Sequence, residues 1–483
     1  MSKDLALLDC TAQAELVRKG QVKPSELVEA AIERAERLDD SLGAIVSRQF
    51  ERARAEAQST ALPQGPLRGV PYLLKDLGAY LDGDPCYSGM GALKKVDYRQ
   101  RGDSVFAGRL RAAGMISLGR TNSPELGILP TTEPDAFGPT HNPWKLSHSP
   151  GGSSGGAAAA VAAGIVPAAH ASDGGGSIRI PAAHCGLVGL KPSRGRNSFA
   201  PSLGERWSGC SCEGFVTRSV RDTAVLLDIT SGPVPGDPYF APPPSRPFAE
   251  EVGADPGQLR IGVMRQAPRG GELHADNLAA VDAAAKLLES LGHLVEPSYP
   301  EAMEDPEAMI HFVKIVSSCT ARVLERVGGI VGRPLGPNDV EALTWAVAEQ
   351  GRLRGATEYV AALEDMHRHG RRLAAWWDSG FDLLLTPTAA VPPPPLGSMR
   401  PEPGNPLAGY AKAAPFGAFT AQFNLSGQPG ISLPLYWNDD GLPIGVHLVA
   451  PTAREDLLIR VAAQLEAAEP WAAKLPPLHA TRR

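Results

Sequence analysis

Residues 149–196 read SPGGSSGGAAAAVAAGIVPAAHASDGGGSIRIPAAHCGLVGLKPSRGR, and this stretch decides how the rest of the chain is interpreted. Two of its serines adjoin glycine clusters: Ser153 in GGSSGG and Ser177 in DGGGSIR. The GGAAAAVAAG segment between them has so little side-chain volume that it predicts close backbone packing. Three consecutive glycines, Gly174–Gly176, allow backbone N–H groups to point one way, which suits an oxyanion beside a nucleophilic serine. The stretch therefore favours nucleophilic serine chemistry.

Upstream of this stretch, the apolar run Val70–Leu74 leads directly to Lys75. A lysine flanked by leucines commonly extends its ammonium group to solvent, which is the simpler interpretation. The alternative is a buried amine whose pKa is low enough for it to act as a base. The two serines downstream favour the second interpretation.

The 483 residues alternate between predicted helices and strands without an internal repeat, which favours an α/β fold with helices on both faces of a sheet. Residues 4–58 are predicted to be helical. Residues 103–119 are predicted to form a helix and then a strand, and 455–468 a last helix. Residues 197–214 show no clear periodicity, and a lid over the site and an irregular surface loop are equally consistent with them.

Composition excludes several classes of protein. Hydrophobic residues make up 43% of the chain and charged residues 21%, as in ordinary globular proteins. A net charge of −6 gives no reason to expect nucleic acid or an anionic membrane as a partner. No apolar run approaches the ~18 residues of a spanning helix, and the N-terminus lacks the apolar core of a signal peptide. We therefore expect a small-molecule substrate.

The six scattered cysteines argue against a disulfide scaffold and make the cytoplasm the expected compartment. The Cys210-x-Cys212 spacing is too tight for a usual zinc pair. No phosphate-binding or dinucleotide-binding motif is present. We therefore expect neither a metal nor a cofactor.

Two rival arrangements for serine chemistry need weighing. Residues 151–155 match the nucleophile-elbow pattern, but that elbow requires a strand leading into the serine, and residues 142–150 do not read as one. A Ser-His-Asp triad is harder to exclude, because His170, His184 and Asp173 all lie near Ser177 in the sequence. Both histidines sit among small or apolar residues, which favours structural roles.

PYLLKDL around Lys75, SPGGSSGG and SDGGGSIRIPAAHCGLVGLKPSRGR together resemble the amidase signature family of hydrolases. The match covers about fifty continuous residues, with the lysine at its usual place upstream. One departure is His148, where the family commonly carries Arg or Lys. The resemblance implies one large α/β domain, with a central mixed β-sheet covered by helices on both faces.

Within that domain we expect three parts. They are an N-terminal helical cap over residues 1–60, a core with the catalytic residues over 65–235, and the remaining sheet and pocket helices over 236–483. The resemblance further implies a Ser-Ser-Lys triad. Ser177 would attack the amide carbonyl, and Ser153, after a cis Gly152–Ser153 peptide, would relay a proton to Lys75.

The N–H groups around Gly174, Gly175 and Gly176 would form the oxyanion hole. Asp173 and Arg179 are expected to hold the glycine turn.

The whole chain is most similar to a branch of this family that cleaves nylon oligomers. That similarity implies a pocket for extended, uncharged aliphatic amides, linear or cyclic. Cys319 lies where the branch places a pocket-lining cysteine, although a buried helical cysteine is equally consistent. Thr131, Thr132 and Asn424 are further candidates for the pocket. Because the acyl-enzyme route accepts any carbonyl with a leaving group, aryl amides, esters and carbamates are also expected substrates.

Two other functions remain open. An amidotransferase subunit that supplies ammonia to a tRNA-modifying partner is also built on this family's fold, but it would need a companion chain. A catalytically inactive scaffold is disfavoured by the intact Lys75, Ser153 and Ser177. A homodimer is compatible with the sequence.

Overall fold

The backbone of the protein, described here over residues 5–482 of a computed structural model, is organised around one eleven-stranded mixed β-sheet. The strands are β1 (Ile45–Arg48), β2 (Pro71–Lys75), β3 (Ile116–Thr121), β4 (Ala168–Asp173), β5 (Val188–Lys191), β6 (Cys212–Thr217), β7 (Arg260–Val263), β8 (Leu294–Pro297), β9 (Leu383–Pro387), β10 (Gly430–Trp437) and β11 (Pro443–Val449). Their order across the sheet is β1-β3-β2-β4-β6-β5-β10-β11-β9-β7-β8. The expected mixed α/β architecture is confirmed.

The sheet is parallel near its two ends and antiparallel in the middle. Strand β2 runs parallel to both β3 and β4, and β7 runs parallel to β8 and β9. The pairs from β4 through β6, β5, β10 and β11 to β9 are antiparallel, as is the edge pair β1–β3.

The helices cover this sheet. They are α1 (Cys10–Arg18), α2 (Pro24–Leu42), α3 (Phe50–Gln58), α4 (Gly91–Lys95), α5 (Val105–Ala112), α6 (Gly155–Ala162), α7 (Arg179–Cys185), α8 (Val220–Thr230), α9 (Ala275–Ser290), α10 (Glu307–Val331), α11 (Ala342–Arg352), α12 (Ala356–Ala375), α13 (Ala408–Lys412), α14 (Ala414–Gly417), α15 (Ala421–Ser426) and α16 (Glu455–Ala468). Within residues 5–482, none has both the length and the apolar character needed to cross a membrane.

Helix α6 explains the alanine-rich segment between the two serines. All eight of its residues are buried, and a Cβ added at Gly156 would lie 2.5 Å from the backbone nitrogen of Asn122. Only a residue without a side chain allows this approach. The alanines pack with Val28, Ile32 and other side chains of α2, where a fully buried Val or Ile contributes about 1.5–3 kcal/mol. The predicted close backbone packing is confirmed.

The structure differs from the sequence-based expectations at several short strands. The N-terminal segment is not wholly helical: β1 lies between α2 and α3 and pairs with β3 at the sheet edge. Sequence patterns also missed β4, β5 and β6, the last of which begins inside the 197–214 segment. Strands β4, β5 and β6 have four to six residues, are wholly buried and contain Gly, Ala, Ser or Cys, so they show neither alternation nor a long apolar run.

Candidate active site

Strand β2 delivers Lys75 to the centre of the molecule. All five residues of β2 are buried, and Lys75 itself is 0% exposed. Its neighbours across the sheet, β3 and β4, run in the same direction, so the carboxyl ends of three strands meet around this lysine. The simpler interpretation, an ammonium group extending to solvent, is therefore wrong.

The Lys75 side chain ends among three serine hydroxyls. Its Nζ lies 2.7 Å from Ser153 Oγ, 2.9 Å from Ser154 Oγ and 3.2 Å from Ser172 Oγ. A neutral amine has two hydrogens to donate and one lone pair to accept with. It can therefore donate to two of these hydroxyls and accept a proton from the third.

Burial lowers the pKa of Lys75 from 10.5 to about 7. The negative charges of Glu213 and Asp173 act in the opposite direction, and the positive charge of Arg206 adds to the lowering. Near neutral pH, a large fraction of Lys75 is thus an uncharged amine. This is the protonation state that a general base requires.

A buried His170–Glu213 pair lies beside Lys75. The backbone N–H of Lys75 donates to His170 Nδ1 at 3.2 Å, and His170 Nε2 lies 2.6 Å from Glu213 Oε2. Because Nδ1 accepts, the proton of a neutral imidazole lies on Nε2 and points at the carboxylate. Burial lowers the pKa of His170, which keeps the ring neutral. No sequence motif indicated Glu213, which lies 138 positions beyond Lys75.

The loop that carries Ser153 contains the expected cis Gly152–Ser153 peptide. Thr132 holds this loop: its Oγ1 donates to the Gly151 carbonyl at 2.9 Å and accepts from the Gly155 N–H at 3.1 Å. The Thr131 backbone lies so close behind the loop that a Cβ on Gly152 would be 2.5 Å from its oxygen. Both threonines are buried, and neither lines either of the two cavities at Ser177.

The carboxylate of Asp173 stabilises the glycine turn before Ser177. Its Oδ1 accepts from the Gly176 N–H at 2.7 Å, and its Oδ2 accepts from the Ile178 N–H at 3.1 Å. Arg179 binds the same carboxylate through Nε at 3.0 Å and Nη2 at 2.9 Å. Gly176 has a φ of 137°, a value that L side chains rarely adopt, so the turn requires glycine there.

Asn424 completes this support instead of lining a cavity. Its Nδ2 donates to the Asp173 carboxylate at 2.9 Å and to the Cys210 carbonyl at 2.9 Å, and its Oδ1 accepts from Arg179 at 2.6 Å. The side chain is 0% exposed. Asn424 thus fixes the turn from 247 positions downstream of Ser177.

Because the Gly176 N–H is engaged by Asp173, it is not free for a ligand. Within residues 5–482, the N–H groups of Gly174, Gly175 and Ser177 form no hydrogen bond to the protein. Gly174 allows the indole of Trp207 to pack against the turn, since a Cβ there would lie 2.6 Å from the ring. Three unengaged donors next to a serine are suited to bind an oxyanion.

Ser177 lies where two cavities meet. The larger has a volume of about 670 Å³ and the smaller about 280 Å³, and Gly127, Ser177 and Trp207 line both. The Ser177 hydroxyl makes no hydrogen bond to any residue of the described range 5–482. Ser153 and Cys319 line the larger cavity.

The Ser-His-Asp alternative finds no support in the geometry. His170 is engaged by Glu213 and by the Lys75 backbone. Both ring nitrogens of His184 lack a partner within residues 5–482, burial lowers its pKa to about 3, and its ring packs edge-on against Phe416. Neither histidine bonds to Ser177. The strand required by a nucleophile elbow is also missing before Ser153, where residues 146–152 form loop.

The chain is similar to known proteins over almost its whole length. The Amidase family profile matches residues 26–459. The chain is 44% identical to 6-aminohexanoate-cyclic-dimer hydrolase of Paenarthrobacter ureafaciens, over 99% of this chain and 98% of that protein. It is 34% identical to an acylamidase of Rhodococcus erythropolis, over 98% of each chain.

Solved structures give the same result for the fold. A structure of 6-aminohexanoate cyclic dimer hydrolase superposes with a TM-score of 0.95 at 43% identity, covering 98% of this chain and 99% of that one. A bacterial aryl acylamidase superposes with a TM-score of 0.86 at 29% identity, covering 97% of each chain.

Proposed function

The chain belongs to the amidase signature family of hydrolases, and we propose that it cleaves amide bonds through Lys75, Ser153 and Ser177 by way of an acyl-enzyme. One observation carries this assignment. A fully buried lysine, whose pKa is lowered to about 7, lies 2.7 Å from the hydroxyl of Ser153.

In the first step, Ser177 Oγ attacks the amide carbonyl carbon. Its proton passes to Ser153 Oγ while the Ser153 proton passes to the neutral amine of Lys75. The carbonyl π electrons move onto oxygen, and the N–H groups of Gly174, Gly175 and Ser177 are the donors we assign to this oxyanion. Loss of one such donor in other hydrolases costs about 3–4 kcal/mol of transition-state stabilisation.

In the second step, the carbon–nitrogen bond breaks. The departing nitrogen takes a proton from Ser153, which takes one from the Lys75 ammonium, so the amine leaves neutral and the relay is restored. Water then attacks the Ser177 ester along the same proton path. This hydrolysis releases the carboxylic acid and regenerates the Ser177 hydroxyl.

The similarity to a cyclic-dimer hydrolase supports aliphatic amides, linear or cyclic, as substrates, including 6-aminohexanoate oligomers. The likeness to acylamidases supports anilides. Esters and carbamates are included in the proposal because each offers a carbonyl with a leaving group to the same serine. The cysteines of the described chain are all free thiols, which supports the cytoplasm as the compartment.

A substrate panel with active-site labelling tests the proposal. The purified protein is assayed with a p-nitroanilide, a p-nitrophenyl ester, an aryl carbamate, a 6-aminohexanoate oligomer and glutamine. A serine-directed inhibitor is mapped by mass spectrometry. We expect the label on Ser177 and turnover of the anilide or oligomer. Turnover of glutamine alone would favour the amidotransferase function, and a label on Ser153 would contradict the assigned roles.

Lys75→Ala is expected to abolish turnover while the protein stays folded in thermal unfolding. The matched control is Lys95→Ala, which removes an exposed lysine of α4. Wild-type activity in the Lys75 variant would contradict the mechanism.

A further inference from the structure

The two cavities that meet at Ser177 differ in whether residues of the proton relay line them. Ser153 and Ser172 line only the larger cavity, whereas Gly175 lines only the smaller one. In the mechanism above, Ser153 gives a proton to the departing nitrogen. That nitrogen must therefore face the larger cavity, and its substituent extends there, while the acyl group occupies the smaller cavity.

The larger cavity carries an excess of positive charge. Its charged lining residues are Arg206, Arg322, Arg326 and one carboxylate, Glu205. Arg322 is bound to Glu325 at 3.0 Å and its side chain is 75% exposed. No carboxylate within the described chain forms an ion pair with Arg206 or Arg326.

The two unpaired guanidinium groups act on each other. Burial lowers the pKa of Arg326, and the positive charge of Arg206 lowers it further. Arg206 Nε is buried without a hydrogen-bond partner in residues 5–482. Arg326 is exposed, whereas the buried Nε of Arg206 is an unsatisfied donor, which is costly unless a ligand accepts its hydrogen. A carboxylate would accept from this donor and offset the positive charge of the cavity, because its two oxygens accept from guanidinium donors.

The remaining lining suits the part of a substrate between amide and carboxylate. Leu77, Leu126 and Val323 line the same cavity as the arginines and provide an apolar wall for a hydrocarbon spacer. The sequence had suggested uncharged substrates, and the charges in this cavity point to a different preference.

On the premise of the amidase function proposed above, we propose that the larger cavity binds the leaving amine and that Arg206 and Arg326 bind a carboxylate carried by it. The preferred substrates are then N-acyl amino carboxylates, compounds whose hydrolysis releases an amino acid and a carboxylic acid. The acyl group lies in the smaller cavity, whose one charged lining residue within the described chain is Arg269.

A matched set of anilides tests this. The probes are 4-(butyrylamino)benzoate, its uncharged analogue 4-(butyrylamino)benzamide, and the anilide of glutaric acid, which carries its carboxylate on the acyl side. We expect kcat/KM to be about 10-fold or more higher for the benzoate than for the benzamide, as a charged hydrogen-bonded contact would give. The anilide of glutaric acid, whose leaving amine carries no carboxylate, should be a poorer substrate than the benzoate.

Arg326→Gln is expected to remove most of the preference, mainly through a higher KM for the benzoate. Arg322→Gln on the same helix removes the same charge from a residue already bound to Glu325, and we expect it to keep the preference. Retained turnover of the benzamide shows that the Arg326 variant is folded.

Each result decides something different. Equal rates for benzoate and benzamide, unaffected by Arg326→Gln, would overturn the inference while the amidase function stands. A preference for the anilide of glutaric acid would overturn the assignment of the two cavities. Failure to turn over any anilide or ester, without labelling of Ser177, would overturn the proposed function and this inference with it.

Discussion

The acid limb of the profile of kcat/KM against pH should follow the titration of the Lys75 amine. A pKa of about 7 in place of 10.5 corresponds to about 5 kcal/mol against the ammonium form. Since Lys75 must be neutral to accept the Ser153 proton, kcat/KM should fall tenfold per pH unit below about 7 and level off above it. The assay is hydrolysis of a neutral p-nitroanilide between pH 5.5 and 9.5.

Two substitutions should move this limb in opposite directions. Glu213 raises the pKa of Lys75 by its negative charge, so Glu213→Gln should shift the limb to lower pH. Arg206 lowers that pKa, so Arg206→Gln should shift the limb to higher pH. We expect shifts of about one pH unit each, typical for a neighbouring buried charge.

The surroundings leave few other sources for such shifts. Asp173 also raises the pKa of Lys75 but is paired with Arg179, and burial lowers the pKa of His170. Because the anilide is uncharged, any role of Arg206 in binding a carboxylate does not affect this measurement. Arg322→Gln is the control and should leave the limb in place. A flat profile between pH 5.5 and 8.5, or shifts of the same sign in both variants, would refute the role of Lys75.

Two further predictions concern the glycine turn. Gly176→Ala should abolish activity and lower the unfolding free energy by about 2 kcal/mol or more, because φ is 137° and the new Cβ would lie 2.4 Å from a neighbouring hydroxyl oxygen. Gly83→Ala is the control for backbone strain alone, because φ is 72° there and an added Cβ would have no atom within 4 Å. If denaturant unfolding showed equal losses of unfolding free energy in the two variants, the packing argument would be contradicted. Asn424→Ala should lower kcat about 100-fold with little change in KM. The reason is that Asp173 and Arg179 lose a buried partner, so that the oxyanion donors shift. A change confined to KM would instead indicate direct substrate contact.

The sequence predicted most of the long elements because their patterns are local. Helix α16 carries apolar residues at helical spacing over fourteen residues and has the expected bounds, and the helix and strand expected over 103–119 are α5 and β3. Short buried strands such as β4 and β5 escaped because four to six buried residues rich in Gly and Ala carry no period. Their place is set by neighbours distant in sequence, as when β5 pairs with both β6 and β10.

By itself, the sequence determined the fold class, the family resemblance, and the local motifs that hold Lys75, Ser153 and Ser177. The backbone freedom of glycine and the small volume of alanine affect residues that are close along the chain, so a sequence motif shows these effects. Only the tertiary structure decided that Asn424 supports the turn, that Glu213 lies beside Lys75, and that two cavities of different charge meet at the serine. Burial and electrostatic interaction depend on distances through space, which positions along a chain do not record.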